Sequence, residues 1–373
     1  MRSALLLICA LVAGCAGTPG PAPLRLNDIQ ALASHNSYKR AIDPPLLEVL
    51  LEAAGPGMLA LDYAHPPLEE QLDLGLLKLE LDVFHDPEGG RYASPAGLAL
   101  VRGVGAEPAP FDADALREPG FKVLHVQDID FRSQCPTLRR CLAELRAWSD
   151  AHPGHLPVAV SVNAKQTPLQ GFEGTVPLPF DAAAWDALDA ELRAGLGDRL
   201  LEPDEVRGAS PTLRRAVRRR GWPLLDAVRG RFLFVLDERM EVLEGYLDGH
   251  PVLDGRAMFA IVPEDHPAAA FLILNDPVGQ AARIRSAVEA GYLVRTRADA
   301  DTREARSGDV DRRDAAFASG AQYVSTDYYR PDPRFTTGYE VALPGGVRVR
   351  CNPVRRSDAA CRVPEAPVRP PVP

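Results

Sequence analysis

Two short stretches carry residues of the kind that move protons or hold cations. Ser34-His35-Asn36-Ser37-Tyr38-Lys39 follows the apolar pair Leu32-Ala33 and puts a proton-transfer group beside a neutral oxygen donor. Further on, Leu79-Glu80-Leu81-Asp82-Val83 alternates with period two, which turns Glu80 and Asp82 to one side and Leu79, Leu81 and Val83 to the other. Two carboxylates on one face repel unless a positive charge stands between them. The spacing therefore predicts a hard cation held by Asn36, Glu80 and Asp82, with His35 and one further histidine beside it.

These residues need elements that bring them together. Apolar or β-branched runs recur at Leu32–Ser34, Leu77–Val83, Lys122–Val126, Leu156–Val162, Phe232–Leu236, Ala270–Leu274, Tyr292–Thr296 and Gln322–Ser325. Stretches with Ala, Leu, Arg and Glu at helical spacing lie between them. Eight strands alternating with helices predict an α/β chain folded as a single (β/α)8 TIM barrel in preference to a doubly wound sheet. Met258–Val262 is read as an extra edge strand or part of a loop. Nearly every run ends in polar chemistry: His35-Asn36, Glu80 and Asp82, His125, Asn163 and Lys165, Asp237, Asn275-Asp276, Arg295 and Arg297, and Thr326-Asp327. A barrel gathers such ends on one face. Helix capping alone accounts for Asp237 or Asn275. It does not account for the histidines, Lys165 and the arginines as a set.

Composition narrows the classes. The chain has 373 residues, 46% hydrophobic and 25% charged, with a net charge of −9. That suits a sizeable core and argues against a nucleic-acid binder, which needs a basic face. There is no Gly-x-Ser-x-Gly, Walker loop or dinucleotide fingerprint. Residues 1–14 read as a signal peptide whose end, Leu11-Val12-Ala13-Gly14-Cys15, resembles a bacterial lipoprotein processing site with Cys15 as the lipidated residue. Residues 15–26 then form a flexible tether, 27–340 the catalytic domain, and 341–373 a C-terminal extension with a proline-rich tail. An exported, membrane-anchored protein is expected, with simple secretion as the alternative and no obligate protein partner. In an oxidising compartment the remaining cysteines pair locally as Cys135–Cys141 and Cys351–Cys361. The run Arg214 to Arg220 is read first as a solvated face, with docking to an anionic membrane as the alternative. His65, His250 and His266 adjoin prolines in turns and show no ligand spacing.

The ordered set of His-Asn, Glu-x-Asp, a lone histidine and Asn-x-Lys resembles the calcium-dependent phosphatidylinositol-specific phospholipase C family, nearest to its bacterial, barrel-only branch. Leu124-His125-Val126-Gln127-Asp128-Ile129-Asp130, Val294 to Asp299 and Ser325-Thr326-Asp327-Tyr328 look like the same branch. The resemblance implies a phosphodiesterase with Ca2+ as cofactor and a phospholipid or other small phosphodiester as substrate. It implies His35 and His125 as the paired catalytic histidines and Asn36, Glu80, Asp82 and Asn163 as metal ligands. Lys165, Arg297 and Asp327 would meet the phosphate or inositol. One departure stands out: Asn163 occupies the position where the family usually carries a glutamate. Weaker calcium binding follows unless Asp128 or Asp130 compensates. A glycerophosphodiester phosphodiesterase and a catalytically weak barrel that binds anionic sugars or lipid head groups are the alternative readings.

Overall fold

The computed structural model describes residues 23–356 and 361–363. The expected signal peptide, Cys15, most of the tether and the proline-rich tail lie outside the described residues. Among the described residues ten strands are formed: β1 (Ile29–Ser34), β2 (Lys78–Asp86), β3 (Gly120–Val123), β4 (Val158–Ala164), β5 (Phe232–Leu236), β6 (Phe259–Ala260), β7 (Phe271–Ile273), β8 (Leu293–Arg297), β9 (Tyr323–Thr326) and β10 (Val349–Cys351). They make two five-stranded mixed sheets, ordered β10-β1-β9-β8-β7 and β3-β2-β4-β5-β6. Neighbouring pairs are parallel except β2 with β3 and β1 with β10.

The sheets approach each other at both margins. A parallel bridge joins Ile261 to Phe271 just past β6 and at β7. On the other side the Leu77 amide donates to the Leu32 carbonyl at 3.0 Å, and the Ser37 amide to the Glu80 carbonyl at 3.0 Å.

The sequence expectation errs in one of its strands. The run at Lys122–Val126 was expected as a parallel barrel strand ending at His125. Only Gly120–Val123 is strand, it pairs antiparallel to β2, and His125 lies in the loop beyond it. The run read as an extra edge strand or part of a loop, Met258–Val262, contains β6, which pairs parallel to β5 at the edge of its sheet. Hydrophobic periodicity reports which face is buried and carries no strand direction. At the β2–β3 pair the buried Lys122 Nζ lies 3.2 Å from Asp86 Oδ2, and Phe121 stacks on His85 at 5.3 Å.

Helices cover the sheets through apolar stripes. In Leu138–Ala151 the buried residues Leu138, Cys141, Leu142, Leu145 and Trp148 recur at three- and four-residue spacing. Its start is set by Thr137, whose hydroxyl accepts from the Arg140 amide at 3.3 Å, a cap worth about 1 kcal/mol. Asp181 plays the same part for Ala182–Leu196. Both expected disulfides are formed, Cys135–Cys141 and Cys351–Cys361. The segment after residue 340 is tied to the sheet: β10 lies along β1, and Arg350 donates twice to Gln30 Oε1, at 2.9 and 2.6 Å. Among the described residues no helix is long and apolar enough to cross a membrane.

Candidate active site

β1 delivers His35 and Asn36 at its carboxyl end, and a tight turn fastens them to β2. Asn36 adopts a positive φ of 47°, a conformation asparagine tolerates better than most residues. Ser34 Oγ and Ser37 Oγ stand 2.6 Å apart, and Ser37 Oγ accepts from the Glu80 amide at 2.8 Å. The His-Asn turn is therefore held against the strand that carries the carboxylates.

His35 lies between opposing charges. Its Nδ1 is 3.1 Å from Asp327 Oδ1, and Arg297 Nη2 is 3.5 Å from the same nitrogen. Its Nε2 faces Glu80 Oε1 at 3.8 Å. Burial, followed by the Arg297 charge, lowers the imidazole pKa to about 4, outweighing Asp327 and Glu80. The neutral ring donates Nδ1–H to Asp327 and keeps its lone pair on Nε2, the side that faces Glu80.

His65, read from the sequence as a turn residue, is buried in this cluster. Its Nε2 donates to the His35 carbonyl at 2.8 Å and lies 3.4 Å from Asp327 Oδ1, while its Nδ1 accepts from the Tyr329 hydroxyl at 3.0 Å. Burial opposes the Asp327 charge, yet His35, His65 and Arg297 together hold its carboxyl far below the usual range. Asp299 goes the other way, raised by burial and by the Asp327 charge. It accepts from the Thr326 hydroxyl and, at 3.0 Å, from the Asp327 amide, so it fixes the end of β9.

Glu80 and Asp82 do share a face, as their spacing predicts, but cations already attend them. Glu80 Oε2 receives Lys78 Nζ at 2.6 Å, Ser161 Oγ at 3.1 Å and Arg295 Nη2 at 3.2 Å. Burial alone would raise the Glu80 pKa, but Lys78 and Arg295 hold it well below the carboxylate range. Arg295 is itself fixed by Ser325 Oγ at 2.8 Å and Asn275 Oδ1 at 2.7 Å. Asp82 Oδ2 pairs with Lys165 Nζ at 2.8 Å. Asp82 Oδ1 is buried without a hydrogen-bond partner. Across the ladder, Asp82 is register-matched to Asn163, whose amide donates to the Asp237 carbonyl at 2.6 Å.

His125 reaches the same region from the loop after β3. Its Nδ1 donates to Asp130 Oδ2 at 2.7 Å, and that oxygen is 3.3 Å from Lys39 Nζ. Lys39 also donates to the carbonyls of Leu61 and Tyr63, at 2.8 and 2.9 Å. The loop packs closely on helix Ala96–Gly103: a Cβ at Gly97 would stand 2.6 Å from the Asp128 carbonyl oxygen. Among the described residues no hydrogen bond joins the two histidines directly. A cavity of about 410 Å3 opens beside Asp327, with Tyr63, Pro66, Tyr329, Arg330 and Arg334 in its wall.

A family model described as phosphoinositide phospholipase C, Ca2+-dependent, matches residues 24–353 of the chain. The chain belongs to this family. It is a phosphodiesterase of the phosphoinositide phospholipase C type, and the family depends on Ca2+. Among solved structures, a calcium-dependent phosphoinositol-specific phospholipase C from a Pseudomonas species is 16% identical with a TM-score of 0.53, covering 88% of this chain and 96% of that one. A Ca2+-dependent phosphatidylinositol-specific phospholipase C from Streptomyces antibioticus is 18% identical with a TM-score of 0.52, covering 82% and 95%. At these identities the likeness is one of fold. No curated protein matches the chain.

A Ca2+-dependent phospholipase C needs oxygen donors for its ion, and the residues here are of that kind. Among the described residues no three histidine, cysteine, aspartate or glutamate side chains form a ready-made metal cluster. The orphaned Asp82 Oδ1 is nonetheless an anionic oxygen that lacks a partner, as a ligand awaiting a cation does. Asn36 spends its amide nitrogen on the Tyr63 hydroxyl at 2.7 Å, leaving its carbonyl oxygen as donor. The two acids named in advance differ: Asp128 is committed on both oxygens, Asp130 on one. Asp128 accepts from the Ala96 amide at 2.9 Å and the Thr175 amide at 2.6 Å, while Asp130 Oδ2 is engaged by His125 and Lys39 and its Oδ1 is buried without a hydrogen-bond partner. The phospholipase site also includes residues that sequence reasoning passed over. Lys78 lies two residues before Glu80, so the same alternation would have pointed to it. Nothing local marks His65 or Lys39.

Proposed function

We propose that the protein cleaves phosphatidylinositol-type lipids to diacylglycerol and a cyclic inositol phosphate. The observation that carries this reading is the placement of His35 Nε2, freed by Asp327 at the opposite nitrogen and facing Glu80 Oε1 at 3.8 Å. In this reading an inositol hydroxyl gives its proton to His35 Nε2 as its oxygen bonds to phosphorus. The bond from phosphorus to the glycerol oxygen then breaks, and His125 gives its Nε2 proton to that oxygen. Asp130 and Asp327 orient the two rings. Asn36, Glu80, Asp82 and Asn163 would hold the calcium. When bound, it neutralises phosphate charge and makes the attacking hydroxyl more acidic. Lys165 and Arg297 are the phosphate partners, Arg297 able to give two parallel hydrogen bonds.

The eight mutually parallel strands are proposed to close as a (β/α)8 barrel, a reading supported by the backbone contacts at both sheet margins. Export as a lipoprotein anchored through Cys15 completes the proposal.

Product analysis tests it. Phosphatidylinositol with calcium should yield a cyclic inositol phosphate first, and His35→Ala or His125→Ala should lower turnover by about 100-fold or more. Turnover of glycerophosphoinositol alone would replace this reading with a glycerophosphodiesterase. Head-group binding with no turnover to lose would leave a binding barrel.

A further inference from the structure

We infer that Asp237 is an additional anionic ligand for calcium, supplying from β5 the negative charge that Asn163 does not carry on β4. The inference rests on the phospholipase reading above. Its basis is strand register. Glu80, Ser161 and Val235 are matched across β2, β4 and β5, and Ser161 Oγ donates to Glu80 Oε2, so this row faces the interior. Side chains two residues on face the same way. That next row is Asp82, Asn163 and Asp237: Asp82 is paired with Asn163, and Asp237 follows directly on the Val162–Leu236 pair.

Adjacent strands stand about 4.8 Å apart. Calcium takes six to eight oxygens at roughly 2.3–2.6 Å, so one ion can span donors on neighbouring strands. Each residue in this row keeps at least one oxygen uncommitted, although Asp82 Oδ2 pairs with Lys165. Asp82 is 1% exposed and its Oδ1 has no partner. The Asn163 amide nitrogen is spent on the Asp237 main-chain carbonyl at 2.6 Å, which leaves the side-chain oxygen as its donor. Among the described residues the Asp237 carboxylate enters no hydrogen bond or ion pair, although Glu80, Asp82, Lys78 and Arg295 act on it electrostatically. The neighbouring Glu238 is committed elsewhere, accepting from the Ala164 amide at 2.6 Å. The carboxylate expected within β4 is thus replaced by one on the next strand, in the same row.

The test is calcium affinity measured by titration calorimetry with calcium chloride alone, together with the calcium-induced rise in Tm and a far-ultraviolet circular dichroism check of folding. Asp237→Asn should weaken calcium binding by about tenfold or more and shrink the Tm rise. The double variant Asn163→Glu with Asp237→Asn should recover affinity to within a few-fold of the parent, because the charge returns to the same row. Calcium binding by the parent with unchanged affinity in Asp237→Asn overturns the inference and leaves the phospholipase reading standing. A folded double variant that stays weak also overturns it, because the loss would not be one of charge. A parent protein that binds no calcium overturns the underlying reading and this inference with it.

Discussion

At the scale of single residues, Asp327 and Arg297 act on one nitrogen of His35 in opposite senses. Asp327 orients the ring and favours its protonated form, while burial first, and Arg297 second, favour the neutral form and hold the pKa near 4. A base that must be unprotonated stays competent down to the pH of its pKa. Removing the cation raises that pKa, so Arg297→Gln should move the acidic limb of the kcat/KM profile to higher pH, measured with calcium saturating. A residue that bound only phosphate would raise KM and leave the limb in place. Glu80 shows the same competition: Lys78 and Arg295 overcome burial and keep it ionised beside a neutral imidazole. Its Oε1 is the oxygen that their clamp on Oε2 leaves uncommitted.

The elements that position the two histidines differ in kind. His35 follows a buried central strand whose end is bonded to β2. His125 stands on a loop, and loops need outside fixing. Lys39 does this by joining the loop after β1 to Asp130, with both side chains fully buried. The Gln134 amide also donates to the Tyr38 carbonyl at 2.7 Å, so the two loops are laced at backbone level as well. Removing one partner of a buried pair leaves the other charge uncompensated, which costs about 3–5 kcal/mol. Lys39→Met should therefore lower the free energy of unfolding measured in urea by that much and reduce turnover through a misplaced His125. Asp130→Asn in the same chain should recover part of the stability without restoring turnover. This stitch was invisible in the sequence, where Lys39 is one basic residue after a tyrosine. The strand error shares that origin: Lys122–Val126 was recognised as a buried run, but only pairing partners decide direction.

For the whole molecule, the membrane question falls on the N-terminal segment. Among the described residues no helix can span a bilayer. In the proposed lipoprotein reading the anchor is Cys15, and Cys15→Ser should move the protein from the membrane to the soluble fraction on cell fractionation with its phosphodiesterase activity retained. The sequence by itself determined what short-range periodicity and residue type can encode. It showed an α/β chain with buried strands, a face carrying Glu80 and Asp82, polar strand ends, two local cysteine pairs and the missing charge at Asn163. Tertiary structure alone decided which partners those residues meet. His35 meets Asp327 across 292 positions of sequence, and Glu80 meets Arg295 across 215. It also placed Asp237, which read as a helix cap, in line with Asp82 and Asn163. The physical reason is that alternation along a strand is a local property of the backbone, whereas register between strands is set by packing and hydrogen bonding among segments distant in the chain.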